Sequence, residues 1–266
     1  MFLLRKNFYI KIGERTVSFI KVFGGVFSLF AQTLVLIPAK PFGTRRIYEQ
    51  AKKIGVESFP IVSLVAFFIG MIMALQTAYI MQKMSSEIYI ASIVAVSLTR
   101  ELGPVITALI VAGRCGAGIT AELGTMTVTE QVDALATLGS NPVKYLVVPR
   151  YLSLTFMLPI LTVFADAIGI FGGYLICVNR LSIRSSLYWN MTFHTLVYKD
   201  LLTGLIKTIF FGMIIALIAC FEGLNVRGGA EGVGKATTKS VVNTFIMIIA
   251  ADCFFTALFY FFLESR

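Results

Sequence analysis

The stretch "SLTRELGPVITALIVAGRCGAGITAELGTM", residues 97–126, sets two adjacent charges, Arg100 and Glu101, inside a run of apolar and small residues. Extended upstream to residue 88, the run can cross a hydrocarbon core of ~30 Å, which takes ~20 helical residues. A charge inside that core is costly unless it is paired or wetted, so Arg100 and Glu101 need partners or a polar cavity. Gly103 and Pro104 follow at once, and the missing proline N–H predicts a kink beside the charges. Runs at 56–81, 151–178, 201–221 and 240–263 join the one at 88–113 to give five predicted spans. The fold class is an all-α membrane protein.

Composition agrees. The chain is 57% hydrophobic and 14% charged, against roughly 45–50% and 25% in a soluble domain. The net charge of +9 does not point to nucleic acid, because ten of the 23 Lys and Arg precede residue 54 and flank an apolar stretch. That is the pattern of a cytoplasmic membrane face beside anionic lipid. The flanked stretch, residues 22–37, is short and stops at Pro38, with Arg5, Lys6, Lys11, Arg15 and Lys21 before it and Lys40, Arg45, Arg46, Lys52 and Lys53 after it. Crossing the bilayer would send one basic cluster outside, so an interfacial elbow helix is expected. The N-terminus is then cytoplasmic and, after five crossings, the C-terminus is outside. With no internal repeat or linker, residues 1–266 form one domain, with 1–53 as the cytoplasmic-face region and 54–266 as the five-helix core. Cys115, Cys177, Cys220 and Cys253 are too scattered for a disulfide or zinc motif, the single His194 excludes a His-rich metal site, and no cleavable signal peptide is expected.

One motif invites a different reading. In "GGAEGVGKATTKS", residues 228–240, Gly229, Gly234 and Lys235 fit G-x-x-x-x-G-K-[ST], but the last position is Ala236. A phosphate-binding loop needs a hydroxyl there for Mg²⁺ and a strand feeding its glycines. The preceding "LIKTIFFGMIIALIACF" reads as a membrane helix instead. The stretch is expected to be a glycine-rich turn between two membrane helices, and any ATP and Mg²⁺ belong to another chain.

Polar residues within the spans are the candidates for function. Besides Arg100 and Glu101 these are Lys207 in the fourth span, Asp252 in the fifth and Asp166 in the third. They read either as structural ion pairs or as the lining of a cavity for a charged headgroup. The small residues at 169–173, with Ala112, Gly116 and Gly118, suit close helix packing. The inner loop "ELGTMTVTEQVDALATLGSNPVKYLVVPRY" predicts a short helix over 130–138, capped by Thr129, ended by Gly139 and kept from restarting by Asn141 and Pro142. Such a helix is either a solvated connector or a plug for a partner's groove.

The stretch from residue 97 to "TVTEQVDAL" closely resembles the most characteristic segment of the MlaE/YrbE-type permeases, the membrane subunits of ABC systems that move lipids with MCE-domain proteins. "GMIMALQTAYI", "GVGKATTKSVV" and "ADCFFTAL" are similar to that family too, so the likeness runs in order over residues 45–262. The resemblance implies a homodimeric ABC permease, each subunit an elbow helix plus five spans. It implies two copies of a cytoplasmic ATPase that bind ATP and Mg²⁺, an MCE ring, a phospholipid substrate, and a bacterial inner membrane or chloroplast inner envelope. By the same likeness "DALATLG" is similar to the loop that couples permease to ATPase, which assigns Asp133, Ala134, Leu135 and Gly139 to that contact. Asp133 stands where that loop usually opens on Glu, so Glu130 is the alternative contact. The family's lipid cavity would be lined by Leu75, Gln76 and Tyr79, with Arg100 and Glu101 facing them, and by Lys207. Asp166 falls at a position expected to be apolar and is left out. Chemically the set is coherent: a phosphate pairs with Arg or Lys, and acyl chains need an apolar wall.

Two other classes compete. An ion- or proton-coupled secondary transporter or channel could use Arg100, Glu101, Lys207 and Asp252 as a relay, but no repeat between halves is found. A lipid enzyme would need a catalytic cluster, and His194 stands alone. The purified chain is expected to bind no ATP, and Lys235→Ala to change nothing in a nucleotide titration; ATP binding abolished by that substitution would restore the phosphate-loop reading.

Overall fold

The computed structural model describes residues 24–38 and 43–263, with side chains as far as 261. The basic residues from Arg5 to Lys21, Lys40, and the first two positions of the expected elbow lie outside those residues. Among the described residues eight helices run in order: α1 (Gly24–Leu36), α2 (Thr44–Lys83), α3 (Glu87–Val128), α4 (Gln131–Thr137), α5 (Val143–Asn179), α6 (Ser185–Thr195), α7 (Tyr198–Leu224) and α8 (Gly229–Leu263). There is no strand among the described residues. Helices α2, α3, α5, α7 and α8 are long and apolar enough to cross a membrane, with mean hydropathies of 1.6 to 2.3. Helix α1 is too short to cross, at about 20 Å against ~30 Å of hydrocarbon. It exposes Phe27 and Val35 while burying Leu29 and Thr33, as an interfacial helix does.

The long helices overrun the predicted spans at one end, called the near end here, where α2, α5 and α8 begin and α3 and α7 finish. Pro60 and Pro159 lie inside α2 and α5, and α3 passes Gly113 and Gly116 through a π-helical turn, 112–116, that lets it continue to Val128. Asn141 and Pro142 do the opposite of what was expected. The Asn141 side-chain oxygen accepts the N–H groups of Val143 (2.9 Å) and Lys144 (3.4 Å), so the pair starts α5. Thr129 does not cap α4 either; its hydroxyl returns to the Thr125 carbonyl at 2.8 Å and finishes α3. Glu130 occupies the cap position in a left-handed conformation, φ 59°. Gly139, at φ 77°, ends α4 as expected, with its own N–H and that of Ser140 returning to Ala136 and Leu135 at 3.0 Å each.

The glycine-rich stretch is also corrected. Only Gly228 (φ 92°) and Gly229 (φ 69°) turn the chain, and from Gly229 onward the segment is the first turns of α8. Lys235 lies exposed there beside Glu231, an i,i+4 pair at 2.6 Å. Glycines cost a helix only ~1 kcal/mol each, and the packed remainder of α8 carries them.

Two layers make the bundle. Helices α2 and α5 run parallel, Gly55 against Met157 and Gly70 against Gly169; a Cβ on Gly70 would strike the Gly169 backbone, and one on Gly172 the Phe67 carbonyl. Parallel α3 and α7 meet at Thr99 with Gly204 and at Thr120 with Ala219, while α8 runs back against both. Gly118, by contrast, faces open space. Gly70→Val is therefore expected to separate α2 from α5 at a cost of about 1–3 kcal/mol, read as a lower melting temperature in detergent, with Gly118→Ala as the unaffected control.

Candidate functional site: an ion cluster and an exposed short helix

The site starts from one backbone defect. Pro104 has no N–H to offer the Arg100 carbonyl, and α3 widens there into a π-helical turn, Leu98–Leu102. The Lys207 ammonium from α7 fills the gap, donating to that carbonyl at 3.3 Å. It also donates to Glu101 (2.6 Å), Asp252 of α8 (3.0 Å) and the Thr256 hydroxyl (2.7 Å), while Thr256 donates to Glu101 at 3.1 Å. The Lys207 side chain is 2% exposed, Asp252 21% and Glu101 38%. Charge-assisted bonds of this quality offset the desolvation that would otherwise expel an ammonium from the bilayer core. By helix rise the cluster lies ~15–20 Å from the far ends of α3 and α7.

Successive residues on a helix point about 100° apart, and the two neighbours separate accordingly. Glu101 turns to α7 and α8. Arg100 turns toward the start of α7, with Nε 3.7 Å from Asp200, whose other oxygen accepts the Val197 N–H at 3.3 Å. Arg100 keeps about a third of its side chain accessible, against 2% for Lys207.

Leu75, Gln76 and Tyr79 line an exposed face of α2, with Lys83 donating to the Tyr79 hydroxyl at 2.9 Å. Helix α2 packs on α5 and α3, whereas Glu101 is held by α7 and α8. Within one chain, then, Glu101 is turned to α7 and α8, while Leu75, Gln76 and Tyr79 lie on the outer face of α2. Asp252, left undecided by the sequence, belongs to the cluster. Asp166 does not: it is buried against Gly103, with one carboxyl oxygen lacking a hydrogen-bond partner among the described residues. Asp200 and Thr256 were missed. Thr256 lies four residues after Asp252, one helical turn along the same face, and that spacing was the available signal.

At the near end α4 lies against the bundle through Val132 and Leu135 and leaves Glu130, Asp133, Ala134 and Gly139 exposed. Leu138, 80% exposed, stands at its end. The extension of α3 that carries α4 is braced by Glu122, which accepts from buried Arg150 (2.8 Å) and pairs with Lys53 (3.5 Å). A fixed polar-apolar helix is thereby displayed beyond the bundle. No grouping of three or more His, Cys, Asp or Glu side chains fit to hold a metal occurs among the described residues.

Five helices long and apolar enough to span, three of them joined by an ion cluster, make this a multi-pass membrane protein, and the comparisons give it a class. The chain is 44% identical, over 255 residues, to a probable ABC transporter permease protein of Rickettsia felis, covering 96% of this chain and 98% of the relative. It is 38% identical over 234 residues to a probable ABC transporter permease protein of Synechocystis, covering 88% and 89%. To the intermembrane phospholipid transport system permease protein MlaE of Haemophilus influenzae it is 32% identical over 255 residues, covering 96% and 98%. That class is the ABC transporter permease. The model of the family described as Permease MlaE matches residues 47–258, and the chain belongs to that family.

Lys207→Gln is expected to lower stability by about 3–5 kcal/mol, because it strands Glu101 and Asp252 without a counterion. Adding Glu101→Gln and Asp252→Asn should recover much of the loss in a thermal melt; a triple variant no more stable than the single one would show that the pairing is not what holds the three helices.

Proposed function

We propose that the chain is the membrane subunit of an ATP-driven phospholipid transporter, and that Arg100 receives the lipid phosphate. The observation that carries this is the division of labour within the cluster. Lys207 is saturated by Glu101, Asp252 and Thr256, whereas Arg100, next in sequence to Glu101, remains part-exposed. Lys207 then acts by holding Glu101 and the Arg100 carbonyl in place. The name of the Haemophilus influenzae relative supports a phospholipid substrate. Two copies of the chain form the transporter, and their paired faces bring the exposed Leu75, Gln76 and Tyr79 of α2 into an apolar cavity with Arg100. A guanidinium meets a phosphate through two parallel N–H···O bonds, and the α2 face supplies the wall for acyl chains.

In this reading the near end is cytoplasmic, the membrane is a bacterial inner membrane, and MCE-domain proteins cover the far end. A separate ATPase, which binds the ATP and Mg²⁺, seats on α4 through Glu130, Asp133, Ala134, Leu135 and Gly139. The buried Lys207 with the part-exposed Glu101 and Asp252 also suits an ion-coupled secondary transporter. Uptake driven by an ion gradient in liposomes holding this chain alone would favour that alternative.

Arg100→Gln should reduce phospholipid retained per dimer, and transport, while the melting temperature stays near wild type. Lipid retention equal to wild type in a folded Arg100→Gln dimer sinks the headgroup assignment. Independently, Glu130→Lys with Asp133→Lys should weaken ATPase co-purification by about 2–5 kcal/mol of binding free energy while the permease still folds. Full ATPase recovery would reduce α4 to a connector.

A further inference from the structure

At the near end, α1, the start of α2 and the start of α5 border a cavity of about 650 Å³. That is within the ~300–1,000 Å³ typical of ligand sites. Its walls differ in character. Leu36 and Ile37, at the end of α1, are apolar; Arg45, Arg46 and Lys144 bring three cations, and no carboxylate lines the cavity among the described residues. The Arg46 guanidinium stacks on the Tyr145 ring, 3.3 Å from its centroid. Stacking fixes the plane of the group and leaves its in-plane N–H donors for an acceptor. Arg45 holds Glu49 at 3.0 Å, on the solvent side of the helix.

The position of α1 says what the acceptor belongs to. A helix too short to cross, with Phe27 and Val35 exposed, lies at the boundary between acyl chains and headgroups. A cavity that is apolar along that helix and cationic beyond it matches a molecule with hydrocarbon next to phosphate. We propose that this cavity binds the phosphate headgroup of an anionic phospholipid from the surrounding leaflet, with Arg46 and Lys144 on the phosphate and Leu36 and Ile37 against the acyl chains. It is separate from the transport site proposed around Arg100. Because Gly139 and Ser140 also line it, a bound lipid would tie α1 to the segment that fixes the end of α4.

The test uses the full-length protein in detergent, equilibrated with mixed micelles of phosphatidylglycerol and phosphatidylcholine, with retained lipid counted by mass spectrometry. Wild type should retain phosphatidylglycerol preferentially, and that preference should fall about fivefold for each cation removed in Arg46→Gln and Arg46→Gln/Lys144→Gln. The same fall is expected in an Arg100→Gln background. No preference in wild type, a double variant that keeps it, or a fall that disappears when Arg100 is absent would each overturn the proposal. Inorganic phosphate at tens of millimolar should leave the retained lipid in place; complete displacement would assign the cavity to a free anion instead. A further readout needs no variant: phosphatidylglycerol should raise the wild-type melting temperature more than phosphatidylcholine does, and equal shifts count against the site.

Discussion

The hydrocarbon core offers no water, so every polar group placed there must be satisfied by the protein, and the Lys207 ammonium is the most demanding of them. Its partners come from two helices, the Arg100 carbonyl and Glu101 on α3 and Asp252 and Thr256 on α8, so that with its own α7 three helices meet there. That fixes the rotation and depth of all three helices at once. The backbone defect at Pro104 is part of the same solution, since the proline offers the Arg100 carbonyl no N–H and the ammonium donates to that carbonyl. Helices that would otherwise slide on apolar side chains gain a single register.

The second layer depends on shape rather than charge. Between α2 and α5 the glycines Gly70, Gly169 and Gly172 let backbones approach until carbonyls sit where side chains would be. In lipid there is little hydrophobic drive between helices, and close backbone packing takes its place. The charged layer and the glycine layer meet along α3, whose Thr99 backbone receives Gly204 of α7 while Gly103 lies against Asp166 of α5. At the near end, local caps set the path of the chain. Paired caps, Asn141 before α5 and the Gly139 turn after α4, leave the exposed helix with no slack at its exit.

Much of this was legible in the residues. Apolar run length identified five spans and a sixth stretch too short to cross, because the thickness of a bilayer is an external ruler that needs no tertiary information. The ordered motifs around Arg100 and Glu101 pointed to the family, and the missing hydroxyl at Ala236 removed the phosphate loop. Helix ends were less legible. Asn141 and Pro142 are equally good as a stop and as a start, and only the packing beneath decides which. Glycines at 229, 232 and 234 looked like a loop because local propensity was weighed without the bundle against which α8 packs.

The sequence by itself determined that Arg100, Glu101, Lys207 and Asp252 lie within apolar spans and must be neutralised, since that follows from the energy of a charge in hydrocarbon. Which charge meets which was decided by the tertiary structure alone. Glu101 and Lys207 are 106 residues apart and Lys207 and Asp252 are 45 apart, and only helix packing brings them within 3.0 Å. The same packing buries Lys207 and leaves Arg100 accessible, a difference between two cations that no one-dimensional pattern carries, because exposure is a property of the neighbours and not of the residue.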